Sequence, residues 1–99
     1  MKLTDLDPVW LSPNVFMFRN PTGGEDWLTC KNIPLSTKEQ AALIWKDNPS
    51  FKEENIVLSR DDFAWSFNGN DFSTLTVTPS IDASASGNWR GFIINGEIK

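Results

Sequence analysis

The chain contains no histidine. The side chain that most often moves protons near neutral pH is therefore missing, and neither a Ser-His-Asp nor a Cys-His arrangement can be assembled. Cysteine occurs once, as Cys30, so no internal disulfide can form. A structural zinc site draws on about four Cys or His ligands, which excludes one here. Phosphate-cradling loops of the G-x-x-x-x-G-K-[ST] and G-x-G-x-x-G types are absent. Basic residues number nine against thirteen acidic, for a net charge of −4. They are scattered without a cluster of three, which disfavours direct nucleic-acid binding, because phosphate affinity rests on Lys and Arg. No apolar run reaches the length that crosses a bilayer. The segment Met1 to Asp7 lacks the apolar centre of a signal peptide. These absences predict a soluble, non-enzymatic protein with no cofactor and no metal, at home in a reducing cytoplasm.

Bulky aromatic residues are plentiful. Five Trp and seven Phe stand in 99 residues, with no Tyr. A large apolar side chain contributes about 1.5–3 kcal/mol when fully buried, so about ten of them can hold one domain of this length without a staple. Residues 1–14, with Pro8 and Pro13 around Val9-Trp10-Leu11, read as an extended N-terminal arm anchored by Trp10. Val15 to Arg19 reads as a strand, closed by the turn residues Asn20-Pro21-Thr22-Gly23-Gly24. Trp27 to Lys31 reads as its hairpin partner. Ser36-Thr37-Lys38-Glu39 has the form of a capping box and opens a helix at about residues 37–47. Ala41, Ile44 and Trp45 share one helix face, and Asn48-Pro49 ends it.

Further along, Ile56-Val57-Leu58 reads as a short strand, and Phe63, Trp65 and Phe67 fall on one face of an alternating segment. Asn68-Gly69 suits a tight turn. Leu75 to Thr78 alternates, and Pro79 marks a sheet edge or a strand end. Ser80 to Gly87 reads as a loop. Trp89 to Ile94 is a strand that turns at Asn95-Gly96 into Glu97-Ile98-Lys99. The expected fold is a single α+β domain over residues 1–99: a small antiparallel sheet or sandwich with one helix.

Carboxylates are the remaining chemistry. Glu25-Asp26, Glu53-Glu54 and Asp61-Asp62 are adjacent pairs. Paired acids can hold a hard cation or run glycoside hydrolysis. Adjacent strand residues point to opposite faces, so solvated loop charge is the expectation. Asp82, between Ser80 and Ser84, is expected to brace its own loop. Cys30, in mid-strand without an imidazole, reads as a buried structural thiol.

The stretch from Trp65 to Ile98 carries W-S-F-N-G, then L-T-V-T-P-S-I, then G-N-W-R-G-F-I-I-N-G-E-I. It resembles an uncharacterised group of small bacteriophage and prophage proteins, the DUF6527 type. Leu6-Asp7-Pro8 and Phe16-Met17-Phe18 extend the likeness to about two thirds of the chain. The resemblance implies a phage origin. It also implies His and Cys positions that look like metal ligands, and here those positions hold Asn88, Arg90 and Asn20. Guanidinium has no lone pair to give, so the scaffold is expected without the metal.

Two functions stand against each other. One is a phage-encoded protein that occludes a bacterial host protein in the host cytoplasm, such as an inhibitor of host defence or an anti-CRISPR. Its patch is Asn88-Trp89-Arg90 with the loop Asp82 to Gly87, since Trp and Arg are enriched at binding hot spots. Trp10 is a second exposed anchor. For Trp89 the opposing expectation is a place in the core. The alternative function is a small-molecule or nucleotide-binding module of the sponge type, in which Trp or Phe stacks on a base and Arg19, Arg60 or Arg90 converge on phosphate. A minor virion role is a further option, and the chain is expected as a monomer or homodimer.

Overall fold

The computed structural model describes residues 1–84 and 87–99. Two sheets and one helix make the expected α+β architecture. The first sheet runs in the order β1 (Val9–Ser12), β2 (Val15–Arg19), β3 (Trp27–Lys31), β4 (Ile56–Val57). The second runs β5 (Val77–Asp82), β6 (Arg90–Ile94), β7 (Glu97–Ile98). All pairings are antiparallel except β3 with β4, which is parallel.

The β2–β3 hairpin is the centre of the molecule. Its register, from Val15 opposite Lys31 to Arg19 opposite Trp27, is unbroken. Side chains alternate along a strand, so Phe16, Phe18, Leu28 and Cys30 share one face. They join Val77, Ile81, Trp89 and Ile93 of the second sheet in a single core. Val15, Met17, Thr29 and Lys31 share the opposite face and are also buried. Helix α1 (Thr37–Asp47) belongs to this second side, through Gln40 and the contacts described below. The result is three layers: helix, sheet, sheet. The uninterrupted Val-Phe-Met-Phe run of β2 reflects a strand covered on both faces.

Helix α1 starts as expected. Ser36 Oγ accepts from the Glu39 amide at 3.1 Å, and Glu39 Oε1 accepts from the Ser36 amide at 3.3 Å. Asp61 adds a cap from a distant loop, its Oδ1 accepting from the Thr37 amide at 2.9 Å. A carboxylate there also meets the positive end of the helix dipole.

Three expectations are corrected. Residues 1–14 are more than an extended arm anchored by Trp10. Leu3–Leu6 forms a 3-10 turn with Leu3 and Leu6 buried, and Val9–Ser12 pairs with β2; apolar residues at 3 and 6 find core space that an arm would waste. Pro79 lies at a sheet edge, one of its two expected places, but does not end its strand. It lies inside β5, where the register shifts between Val77 and Ile81. An edge strand with an irregularity tolerates a residue that cannot donate. Ser80 to Asp82 thereby belong to a strand and not to a loop. The segment Phe63–Phe67 keeps its alternation, with Trp65 and Phe67 buried, but contributes only one bridge, Ser66 to Thr78.

Lys31 is fully buried. Its Nζ donates to Arg60 O and Phe63 O, each at 2.6 Å, and to Ser59 Oγ at 3.1 Å. Ser59 is also held by Gln40: its amide and hydroxyl donate to Gln40 Oε1 at 3.0 and 3.1 Å, while Gln40 Nε2 donates to Ser59 O at 2.8 Å. Burial pushes the Lys31 pKa down from the ordinary lysine value, and the carboxylates of Asp61 and Asp62 oppose that shift. Lys31→Met keeps most of the bulk but strands three part-buried acceptors. An acceptor left without a donor costs about 1–3 kcal/mol, so urea unfolding should show a loss of about 3 kcal/mol. A loss below about 0.5 kcal/mol would refute this role.

Candidate functional site

The expected patch divides between core and surface. Trp89 is 8% exposed and belongs to the core. Its ring meets Phe18 edge-on with centroids 6.3 Å apart. The indole also lies over Gly91 of its own strand: a Cβ at Gly91 would stand 2.5 Å from the Trp89 ring. Trp89 is therefore removed from the set of contact residues, because an inward position on the approach to β6 faces the first sheet. Trp10 is half-buried. It stacks on Phe72 at 4.8 Å, meets Phe16 edge-on at 5.5 Å, and donates from Nε1 to Asn70 O at 3.2 Å. It anchors β1 as expected, and as an exposed anchor it is corrected: one ring face is covered. It lines an open groove of about 720 Å³ with Pro13 and Asn70.

Asn88 and Asn20 come together. Asn20 Nδ2 donates to Asn88 Oδ1 at 2.8 Å and to Gly23 O at 3.1 Å. These are two of the positions that the resemblance marks for metal ligands, 68 residues apart in sequence and joined here by amides. The third, Arg90, opens β6 and is exposed. Among the described residues no group of three His, Cys, Asp or Glu side chains is placed to hold a metal ion.

Asp82 braces its own chain, as expected. Its Oδ1 accepts from the Ser84 amide at 3.0 Å and from the Ser84 hydroxyl at 2.5 Å. These bonds, with a smaller contribution from Arg90, hold its carboxyl below the usual range. Arg90 Nε lies 3.9 Å from Asp82 Oδ2, and both side chains are at least half exposed. Ala85 and Ser86, part of the expected loop, lie outside the described residues.

Two surface features were not singled out from the sequence. The first is the outer face of β6. Arg90, Phe92 and Ile94 alternate outward while Gly91 and Ile93 face in. Phe92 is 47% and Ile94 45% exposed. The signal was present in Gly-Phe-Ile-Ile: a strand covered on one face must expose every second residue of an apolar run. The second is a cleft of about 510 Å³ between the two sheets, lined by Leu58, Arg60, Phe63, Trp65, Pro79 and Asp82, among others.

The acidic pairs do not converge. Asp61 caps α1, Asp62 Oδ1 lies 3.5 Å from Arg60 Nε, and Glu53 and Glu54 sit exposed in a 3-10 turn. No helix among the described residues is long and apolar enough to cross a membrane. Comparison with protein-family models, curated proteins and solved structures gives no match.

Cys30 is fully buried, and burial pushes its thiol far above the ordinary value of 9.0. A raised folded pKa means that the thiol's contribution to stability is complete below pH about 9 and lost as the unfolded thiol ionises above it. Each pH unit in that range should cost about 1.4 kcal/mol. Lys31, with a lowered pKa, works with the opposite sign in both proteins and, apart from its coupling to Cys30, cancels in a difference. The stability of wild type minus that of Cys30→Ala should therefore fall by about 1.4 kcal/mol between about pH 9.5 and 10.5. A difference that stays flat would show that the thiol is not sheltered.

Proposed function

We propose that this chain is a non-enzymatic binding protein that docks a protein partner face-on against the second sheet. The observation that carries it is the pair Phe92 and Ile94, nearly half exposed on the central strand of that sheet. Two ion pairs flank this apolar centre. Arg90 and Asp82 lie on one side, and Lys99 Nζ and Glu97 Oε2, 3.0 Å apart, on the other. An apolar centre inside a charged rim is the anatomy of a protein–protein interface. Strand addition at β7 is disfavoured, because the Lys2–Glu97 bridge and the Ile98 amide bonding to Met1 O occupy that edge.

The partner in this reading is a bacterial host protein, met in the host cytoplasm by a phage-encoded inhibitor of the kind that blocks host defence, anti-CRISPR proteins included. The C-terminal sequence block and its resemblance to phage proteins support that origin. The acidic surface supports a protein partner over nucleic acid. The working residues are Arg90, Phe92, Ile94 and Asp82, with Trp89 holding β6 from inside.

The test is a pull-down from bacterial lysate with tagged wild type and with the double variant Phe92→Thr, Ile94→Thr. Threonine suits a strand, so the melting temperature should stay close to wild type. A specific partner should be captured by wild type and weakened at least tenfold by the variant. Equal capture by both proteins would refute the docking face. Light scattering gives the other outcome: a dimer that the same variant converts to monomer would mean that the face serves a second copy and not a host protein.

A further inference from the structure

The cleft between the sheets shares Asp82 with the docking face and is otherwise lined by different residues, and its chemistry is specific. One wall is the chain that follows β4, with Leu58, Arg60 and Phe63; the other is the edge strand β5, with Pro79, Ser80 and Asp82. Trp65 closes the bottom, its indole Nε1 donating across the gap to Ser80 O at 3.3 Å. Phe63 stands against Trp65 with centroids 4.7 Å apart and planes at 79°. The two rings thus make a right-angled aromatic corner. At about 510 Å³ the cleft falls in the range of small-ligand sites.

The wall beside the corner is fixed from behind. Lys31 Nζ holds the carbonyls of Arg60 and Phe63, and Gln40 holds Ser59. A cleft whose backbone is tied to buried groups is formed before a ligand arrives, which lowers the cost of binding. The polar groups at the mouth are a guanidinium, Arg60, and a carboxylate on the opposite wall, Asp82. One donates and the other accepts. Each cation near the mouth already faces a carboxylate: Arg60 faces Asp62 at 3.5 Å, and Arg90 faces Asp82 at 3.9 Å. A ligand with phosphates would meet no surplus of positive charge there.

We infer that the cleft binds an uncharged planar nitrogen heterocycle of nucleobase or nucleoside size. The ring stacks on Phe63, and its polar edge is read by Arg60 and Asp82. The apolar corner supplies most of the affinity, since every base offers a π face on which an aromatic side chain stacks.

The test titrates adenosine, guanosine, uridine and AMP into the intact protein. Amide and indole NMR shifts, with tryptophan fluorescence, are the readout. At least one nucleoside should saturate with millimolar or tighter affinity, moving the resonances of Phe63, the Trp65 indole and Ser80. Arg60→Ala leaves the backbone carbonyl that Lys31 uses, so it should weaken binding at least fivefold with no change in melting temperature. Ser80→Phe fills the cleft and should abolish binding while the spectrum stays folded. No shift at these residues up to about 5 mM nucleoside, or binding indifferent to both variants, would overturn the assignment. AMP binding more than fivefold tighter than adenosine would overturn the choice of an uncharged ligand.

Discussion

The fold turns on a buried ammonium. Lys31 sits on the helix side of the central hairpin, where an apolar residue would be expected, and it is fully out of contact with water. Its cost is offset by three oxygens, two of them backbone carbonyls of one loop. An irregular segment cannot satisfy its carbonyls by pairing with a sheet, so a long side chain reaches out of the sheet to do so. Ser59 then couples this lysine to Gln40 of the helix, and Asp61 of the same loop caps that helix. Four residues tie the helix, the first sheet and the 59–63 loop into one unit. The aromatic corner of Phe63 and Trp65 is set on top of it, and the second sheet packs beyond.

The C-terminal block that carries the phage resemblance consists largely of packing residues. Trp89 and Ile93 enter the core, Gly91 leaves room for the Trp89 ring, and Gly96 adopts a positive φ of 75° with the Ser73 carbonyl pressed against it. A side chain at either glycine would collide with a ring or a backbone. The pattern W-x-G-F-I-x-x-G-x-I therefore specifies how a strand lies on a core and turns. It describes a scaffold and is silent on a target. The outward members, Arg90, Phe92 and Ile94, are the positions that packing leaves unconstrained.

Local signals in the sequence were legible where the chain's own neighbours decide the structure. The capping box at Ser36, the Asn95-Gly96 turn and the alternation of Phe63, Trp65 and Phe67 all depend on residues within reach of one another. The failures lie where distant chain decides. Trp10 and the N-terminal turn are settled by Phe72 and by a core that the first fourteen residues do not reveal. Pro79 is tolerated because β5 happens to be an edge. Trp89 is named in the contact patch with a place in the core as the opposing expectation, and it faces inward with Gly91 and Ile93. Period two within an all-apolar run leaves the choice of face open, and only packing against the first sheet fixes it. The cleft was illegible for the same reason, its walls being separated by about twenty residues and joined by the Trp65–Ser80 hydrogen bond and the Ser66–Thr78 bridge.

The clasp between Asn20 and Asn88 joins the β2–β3 turn to the approach of β6, and so one sheet to the other. Both partners are carboxamides. They do not ionise in the biological pH range, and they have no electron to surrender and no ion to lose. A junction made of thiolates or imidazoles would open to acid, to peroxide or to a chelator. This one offers none of the three a point of attack.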